Sequence, residues 1–577
     1  MLPELSQEGI RATEVKKYKE ILVITGNPPY NIKSRNNKKG IVELIGDYKP
    51  SDEKKLNLHD DYIKFIRFAH NKIDYNKMGV IGIITNNSFI NGLTHRKMRN
   101  KLLDSFDEIY ILNLHGNSRI GETAPDGEID QNVFDIMQGV SINIFVKNAT
   151  EDKKEQCKIY YYDCFGKRKQ KYEFLLANDI DSIEWNLIDY NKFNDEFRKT
   201  SWGKNRFDDK LSFFTPIENT NLIKQYGDFW GVYEIFKYYG SGVKTDRDGL
   251  VIDFKKDKLT TRMKKVFNLE YDKKFREKYK VKNSSSYKII DKLEKLKYKD
   301  TNLKEIQYRP FDLRSIYYDP EFISRPNYNI MQHFLKEDNI GLVLMRSIIP
   351  DTSFSQVMVS DKILDLNYYG YQTYLLPLYI YNEPEEGDLF ADETHLNKQV
   401  NFTNEFVKFI NKKYLFKPSP EEILGYIYAV FHSQTYREKY LELLKIDFPR
   451  VPFTDDEEKF KKLAELGTEL IEHHLLKKTY PDNQVKPVGK SDQVIVETVN
   501  YVEDKIQINP NLYFYPVKPE VWDFYIGGYK VLEKWLKSRK GREQDLSYQE
   551  IEHFIKVCNV IKKTIELMGK IDGVKMA

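Results

Sequence analysis

The stretch ILVITGNPPYN, Ile21 to Asn31, restricts the fold of this 577-residue chain more than any other. A short, continuous apolar run is what a parallel strand covered on both faces requires. Here it stops at Gly26 and passes straight into Asn27, Pro28, Pro29 and Tyr30. The two prolines fix φ and remove two backbone donors, so the strand ends there and the chain beyond it is stiff. Past this turn the sequence alternates helix and strand. HDDYIKFIRFAHNKI carries Tyr62, Phe65, Ile66, Ala69 and Ile73 at helical spacing, and GVIGIITNNSFI reads as the next strand. HRKMRNKLLDSF is a second amphipathic helix, EIYILNLHG a third strand, and NVFDIMQGVSINIFVKN a strand after a turn back. The pattern predicts an α/β fold over residues 1–150, one half of a doubly wound, Rossmann-like sheet.

Residues 151–216 are polar and irregular in pattern and read as a connector with short elements. Residues 217–577 mix strand-like runs (NIGLVLMRS, TYLLPLYIY, YFYPV) with helices (EEILGYIYAVFHS, YQEIEHFIKVCNVIKKTIELM), which predicts a mixed α+β domain. The net charge of +4 does not by itself announce a polyanionic partner. Between Lys255 and Asp300, however, 17 Lys or Arg stand against 7 Asp or Glu. Three cysteines offer neither a disulfide framework nor a metal-ligand spacing, which excludes a stapled secreted scaffold and predicts no metal site. With no signal peptide and no run of membrane-spanning length, a cytoplasmic location away from membranes is expected.

The residue types after the first strand suit methyl transfer to a planar exocyclic amine. Such an amine is a poor nucleophile because its lone pair is delocalised into the ring. The side-chain carbonyl of Asn27 and the peptide carbonyl of Pro28 could each accept one of its hydrogens and concentrate the lone pair on nitrogen. Tyr30 would offer a flat face to a base taken out of a duplex, and the site falls at the carboxyl end of a strand, where open α/β sheets bind ligands. A bare Asn-Pro-Pro-Tyr can also be a proline-rich turn. The strand before it and the strand–helix pattern after it favour the site.

The segment Ile21–Asn148 resembles the second half of the catalytic domain of adenine-N6 DNA methyltransferases, with NPPYN matching the catalytic motif. The resemblance implies S-adenosylmethionine as cofactor, a catalytic role for Asn27, Pro28, Pro29 and Tyr30, and cofactor contacts from Asp60, Asp61 and Asn86 near the following helix and strand. It also places NVFDIMQGVSINIFVK near the target base. The rest is similar to the C-terminal specificity region of Type ISP and Type IIG-like restriction–modification enzymes. SGVKTDRD, YRPFDLRSIYY, ISRPNYNIMQHF and VWDFYIGGYKVLEKWLKSRKGR carry that likeness as a set. Double-stranded DNA is the partner it implies.

Set against that family, a Gly-rich cofactor loop is missing ahead of Asn27, since the 26 residues before it cannot hold the first strands. YYGSGVKT lacks an acidic residue just before its glycines and belongs with the recognition region. PVGKS, at 487–491, has the tail of a phosphate loop without its leading glycine, so neither a motor nor a nuclease is expected in this chain. A sheet beginning at ILVIT would have an unpaired apolar edge, so a separate chain supplying the missing half is a further expected partner. Lys244, Arg247, Arg309, Arg314 and Arg325, in loop-like aromatic contexts, are the expected DNA contacts. The stretch Lys255–Asp300 and the cluster Lys534–Arg542 could track phosphates or be ordinary solvated helix faces. His59, His95 and His115 read as surface or rim residues.

The reading is an adenine-specific DNA methyltransferase component of a restriction–modification system. Two rivals are a DNA-recognition module, or truncated fragment, without turnover, and a methyltransferase acting on protein glutamine or ribosomal RNA.

Overall fold

The computed structural model describes residues 3–31, 34–52, 57–118, 122–149, 156–204, 206–216, 220–348, 353–382, 397–480, 484–489, 494–541 and 545–575. Contacts divide the chain into two units, one ending at Asp228 and the other beginning at Phe229.

The first unit is built on a six-stranded sheet of order β1-β2-β4-β3-β5-β6. Its strands are β1 (Val23–Gly26), β2 (Gly79–Asn86), β3 (Glu108–Asn113), β4 (Val140–Lys147), β5 (Lys158–Asp163) and β6 (Asn186–Ile188). β1 runs parallel to β2, with Val23 opposite Val80 and Gly26 opposite Ile83. β4 lies antiparallel between β2 and β3, and β3 runs parallel to β5. The helix Asp61–Asn76 turns Tyr62, Ile63, Ile66, Ala69 and Ile73 into the core with Ile81, Ile83, Ile109, Ile111 and Phe145. That is the helical stripe read from the sequence, meeting the alternating inward residues of the strands.

Two features differ from a plain reading of the pattern. The segment 151–216 contributes β5 and β6 to the sheet, burying Ile159 and Tyr161, while Tyr160 stacks on Tyr110 with ring centroids 4.6 Å apart. β1 is not covered on both faces. Leu22 is 45% and Val23 64% exposed, and among the described residues no strand pairs with the outer edge of β1.

The second unit holds two four-stranded sheets relevant to function. In one, Leu303–Arg309 and Asp312–Tyr317 form a hairpin flanked by Ile363–Leu364 and Ile252–Asp253. In the other, Val357–Ser360, Gly341–Leu344, Tyr374–Pro377 and Gly240–Ser241 are neighbours in that order, each antiparallel to the next. The helices Pro420–His432 and Tyr548–Gly573 begin where the sequence signals a start. Ser419 with Glu422, and Ser547 with Glu550, form reciprocal capping boxes. The basic stretch is helical over Lys256–Phe267, Lys273–Lys278 and Ile289–Leu293. Of PVGKS, Pro487–Gly489 lies in a strand of a further sheet, and residues 490–491 lie outside the described residues. Among the described residues no helix is long and apolar enough to cross a membrane, and no group of three or more His, Cys, Asp or Glu is placed to hold a metal ion.

Candidate functional site

Because β1 and β2 are parallel and in register, their carboxyl ends share one rim of the sheet. Asn27 comes directly after β1 and is exposed there, Pro28 is buried, Pro29 is exposed, and Tyr30 is half-buried. The Tyr30 hydroxyl lies 3.3 Å from both Asn27 Oδ1 and the Ile84 carbonyl, so its single proton can be donated to either. Burial, with Asp60 nearby, pushes the Tyr30 phenol up to about 12, which keeps it a neutral donor across the physiological range. Tyr62 meets the ring edge-on at 6.1 Å. The phenol therefore orients the Asn27 carboxamide and anchors the turn to β2.

The residues expected to hold the cofactor are engaged with the chain itself. Asp60 is buried, and its Oδ1 accepts the Asn31 N–H at 2.8 Å. Asp61 accepts the Ser34 hydroxyl, and the buried Lys64 ammonium donates to Ser34 Oγ and the Asn36 carbonyl, each at 2.7 Å. Asn86 is buried with its Oδ1 on the Ser88 N–H at 3.0 Å. Together these bonds strap the loop after Tyr30 to the start of the Asp61–Asn76 helix and shape the turn after β2.

Further along the rim, Asn87 Nδ2 donates to Asn113 Oδ1 at 2.7 Å, joining the ends of β2 and β3. His115, expected at the surface or the rim, lies at the rim and is buried there. Its Nδ1 lies 2.7 Å from Glu122 and its Nε2 2.7 Å from Asp163, while Phe165 stacks on it at 3.8 Å. Burial opposes the charge on the imidazole, but the two carboxylates outweigh it and its pKa is raised. His95 is also buried, and burial, with the Arg99 charge beside it, drives its pKa down to about 3. His59 is partly exposed. The segment that the resemblance sets near the target base is pinned from two sides. Asn132 Nδ2 donates to the Gly116 and Gln138 carbonyls, and Arg168 donates to the Asn132 and Phe134 carbonyls. Lys171 and Asp130, both fully buried, pair at 2.7 Å beneath it.

In the second unit the expected DNA contacts separate into two groups. Arg309 pairs with buried Asp365 at 2.7 Å, and Arg314 pairs with buried Asp312 at 2.6 Å, which Arg539 also reaches at 2.9 Å. These guanidinium groups are layered with aromatic rings. Arg309 and Arg314 flank Tyr308 at 4.0 and 3.9 Å, Arg314 lies 4.0 Å from Phe254, and Arg539 lies 3.4 Å from Trp535. Arg247 donates to the Lys280, Lys282 and Asp246 carbonyls. Arg309 and Arg314 are held in the fold as desolvated, paired and stacked guanidinium groups, and Arg247 is held by backbone carbonyls at a partly exposed position. Lys244 pairs with Asp246 at 2.9 Å but stays partly open, and Arg325 is exposed with no ion pair among the described residues.

Residues 234–570 match the family described as the Type ISP C-terminal specificity domain, and residues 7–120 match the Eco57I restriction-modification methylase. The chain belongs to the Type ISP specificity family, with a restriction–modification methylase region ahead of that domain. Among solved structures, the ATP-dependent Type ISP restriction-modification enzyme LlaBIII bound to DNA is similar over 99% of this chain and 38% of its own, at 23% identity and a TM-score of 0.68. The DrdV–DNA complex is similar over 98% of this chain and 58% of its own, at 21% identity and a TM-score of 0.68. A nuclease-deletion mutant of the Type ISP enzyme LlaGI, in complex with a DNA substrate mimic, is similar over 98% and 45%, at 20% identity and a TM-score of 0.65. At these identities the likeness is one of fold. The chain spans between 38% and 58% of the length of these three structures. No curated protein is significantly similar to it.

Proposed function

We propose that this chain is the target-recognising, base-activating part of an adenine-N6 DNA methyltransferase in a restriction–modification system. The observation that carries this reading is the exposed Asn27 at the strand-end rim, with its carboxamide oxygen within reach of the Tyr30 hydroxyl. An adenine swung out of the duplex would place its exocyclic amine against Asn27 Oδ1 and the Pro28 carbonyl. Each oxygen accepts one N–H, the nitrogen moves toward tetrahedral geometry, and its lone pair becomes available. The stiff Pro28-Pro29 backbone keeps both acceptors in place without reorganisation. The exposed part of the Tyr30 ring offers the base a stacking face. The mixed six-stranded sheet, with β4 antiparallel between β2 and β3, supports reading this region as part of a Rossmann-like domain.

S-adenosylmethionine is the methyl donor in this reading. Its cradle would be completed by further α/β polypeptide that adds strands to the open edge of β1, as part of a longer assembly or as a separate chain. On the second unit, Lys244 and Arg325 are the phosphate contacts retained from the expected set. The test is Asn27→Ala in the completed enzyme. Methyl incorporation into duplex DNA is expected to fall to background while DNA affinity changes little. Methylation at near wild-type rate would remove the assignment. A recognition module without turnover is the second reading, favoured by the inward engagement of Asp60, Asp61 and Asn86. DNA binding without methylation by the completed assembly would select it.

A further inference from the structure

The ends of three neighbouring strands gather an unassigned group of side chains in the second unit. Tyr374 pairs with Leu344 on one side and Ser241 on the other. Arg346 and Tyr239 lie just beyond the ends of those two strands, and contact with one ring, that of Phe448, brings both beside Tyr374. Beneath them lies the buried ring of Phe448, with Tyr374 at 5.1 Å, Tyr239 at 5.6 Å and the Arg346 guanidinium at 6.0 Å.

Two groups on this face are held and yet open. The Arg346 side chain is 55% exposed, while its Nε donates at 2.7 Å to Asp447, whose side chain is fully buried. The Nη atoms carry no hydrogen bond among the described residues. A buried carboxylate thus fixes the plane of the guanidinium and leaves its outer fork available. Gln372 is exposed, and its Nε2 donates to the Tyr374 hydroxyl at 2.9 Å. One amide hydrogen orients it, and its carbonyl oxygen and second N–H have no partner among the described residues. A forked arginine matches O6 and N7 of guanine, and a carboxamide matches N6 and N7 of adenine. Arg309 and Arg314, by contrast, are committed to the fold.

We propose that Arg346 and Gln372 read base edges in the groove of double-stranded DNA, with Tyr239 and Tyr374 as the aromatic walls that set their direction. The inference rests on the DNA-recognition reading above and names the residues that determine its sequence preference. Phosphate attraction is left to Lys244, Arg325 and the basic helices of Lys255–Asp300, because the charge of Arg346 is matched by Asp447.

The test selects bound duplexes from a random-sequence pool with the full chain, in parallel for wild type, Arg346→Lys and Gln372→Ala. Lysine keeps the charge and the Asp447 pair but loses the fork, and Gln372 is exposed, so both variants should fold. Each is expected to relax the consensus at a different position and to weaken binding to the wild-type duplex by roughly 5- to 150-fold. A consensus left intact in both variants overturns this inference alone. A wild-type chain that selects no consensus overturns the parent reading and this one with it.

Discussion

Arg314→Ala separates a structural arginine from a DNA-contacting one. The wild-type guanidinium places Nε and Nη2 on Asp312 Oδ2 at 2.9 and 2.6 Å, between Phe254 and Tyr308. Asp312 is fully buried and keeps Arg539 as its second partner. Breaking a buried pair outright costs about 3–5 kcal/mol. With Arg539 still present, the loss from the pair should be about 2 kcal/mol, and two desolvated cation–π contacts add about 1–2 kcal/mol. The opening free energy of the hairpin should fall by about 3–4 kcal/mol, so exchange of its amides, followed by mass spectrometry over residues 303–317, should quicken by roughly 150- to 900-fold.

The same variant makes two further readings possible. Burial tends to raise the Asp312 pKa, but the two guanidinium groups outweigh it and hold it below the ordinary carboxylate value. A depressed carboxylate lends stability above its unfolded pKa and loses it as pH falls through the folded one. Removing Arg314 should therefore move the onset of acid destabilisation of this hairpin to higher pH. The dependence of DNA affinity on salt should stay unchanged, whereas loss of a phosphate contact would lower the log–log slope by about 0.9. Exchange within about threefold of wild type, or a slope lowered by that amount, would refute the structural role.

What the sequence disclosed is what short-range chemistry determines. Asn-Pro-Pro-Tyr ends a strand within four residues, and its hydrogen bonds reach Asn27 and the neighbouring strand. The helix Tyr548–Gly573 announces itself through Ser547 and Glu550. Hidden features depend on partners far along the chain. Arg309 meets Asp365 across 56 positions and Arg539 meets Asp312 across 227, so an arginine beside tyrosines reads equally well as a base contact or a stacked ion pair. β5 escaped notice because KIYYYD buries only Ile159 and Tyr161, and a tyrosine facing solvent looks the same in sequence as one facing the core. His115 was obscured for a related reason: Glu122 is near, but Asp163, which completes its enclosure, lies 48 residues on. Arg346 carried no signal at all, since its orientation comes from Asp447, 101 positions away.

Two further outcomes bear on the methylase region. The raised pKa of His115 means its charged form is favoured by the fold, so its clamp on the 122–139 segment is at full strength below about 6.5 and fades as pH rises through the higher folded value. Protection of that segment, corrected for intrinsic exchange, should decline with pH in wild type, and His115→Gln should abolish that dependence; an unchanged profile in the variant would rule the clamp out. Val23→Lys tests the open edge of β1. Val23 is largely exposed, so the chain alone should change in stability by no more than about 0.5 kcal/mol. A parallel strand is covered on both faces once its sheet is complete, and a lysine there would be driven into an apolar layer. Calorimetry should find S-adenosylmethionine bound when wild type is combined with an α/β polypeptide that adds strands to this edge, but not when Val23→Lys takes its place. Strong binding by the isolated wild-type chain would show that the edge needs no partner, because the cradle would then already be whole.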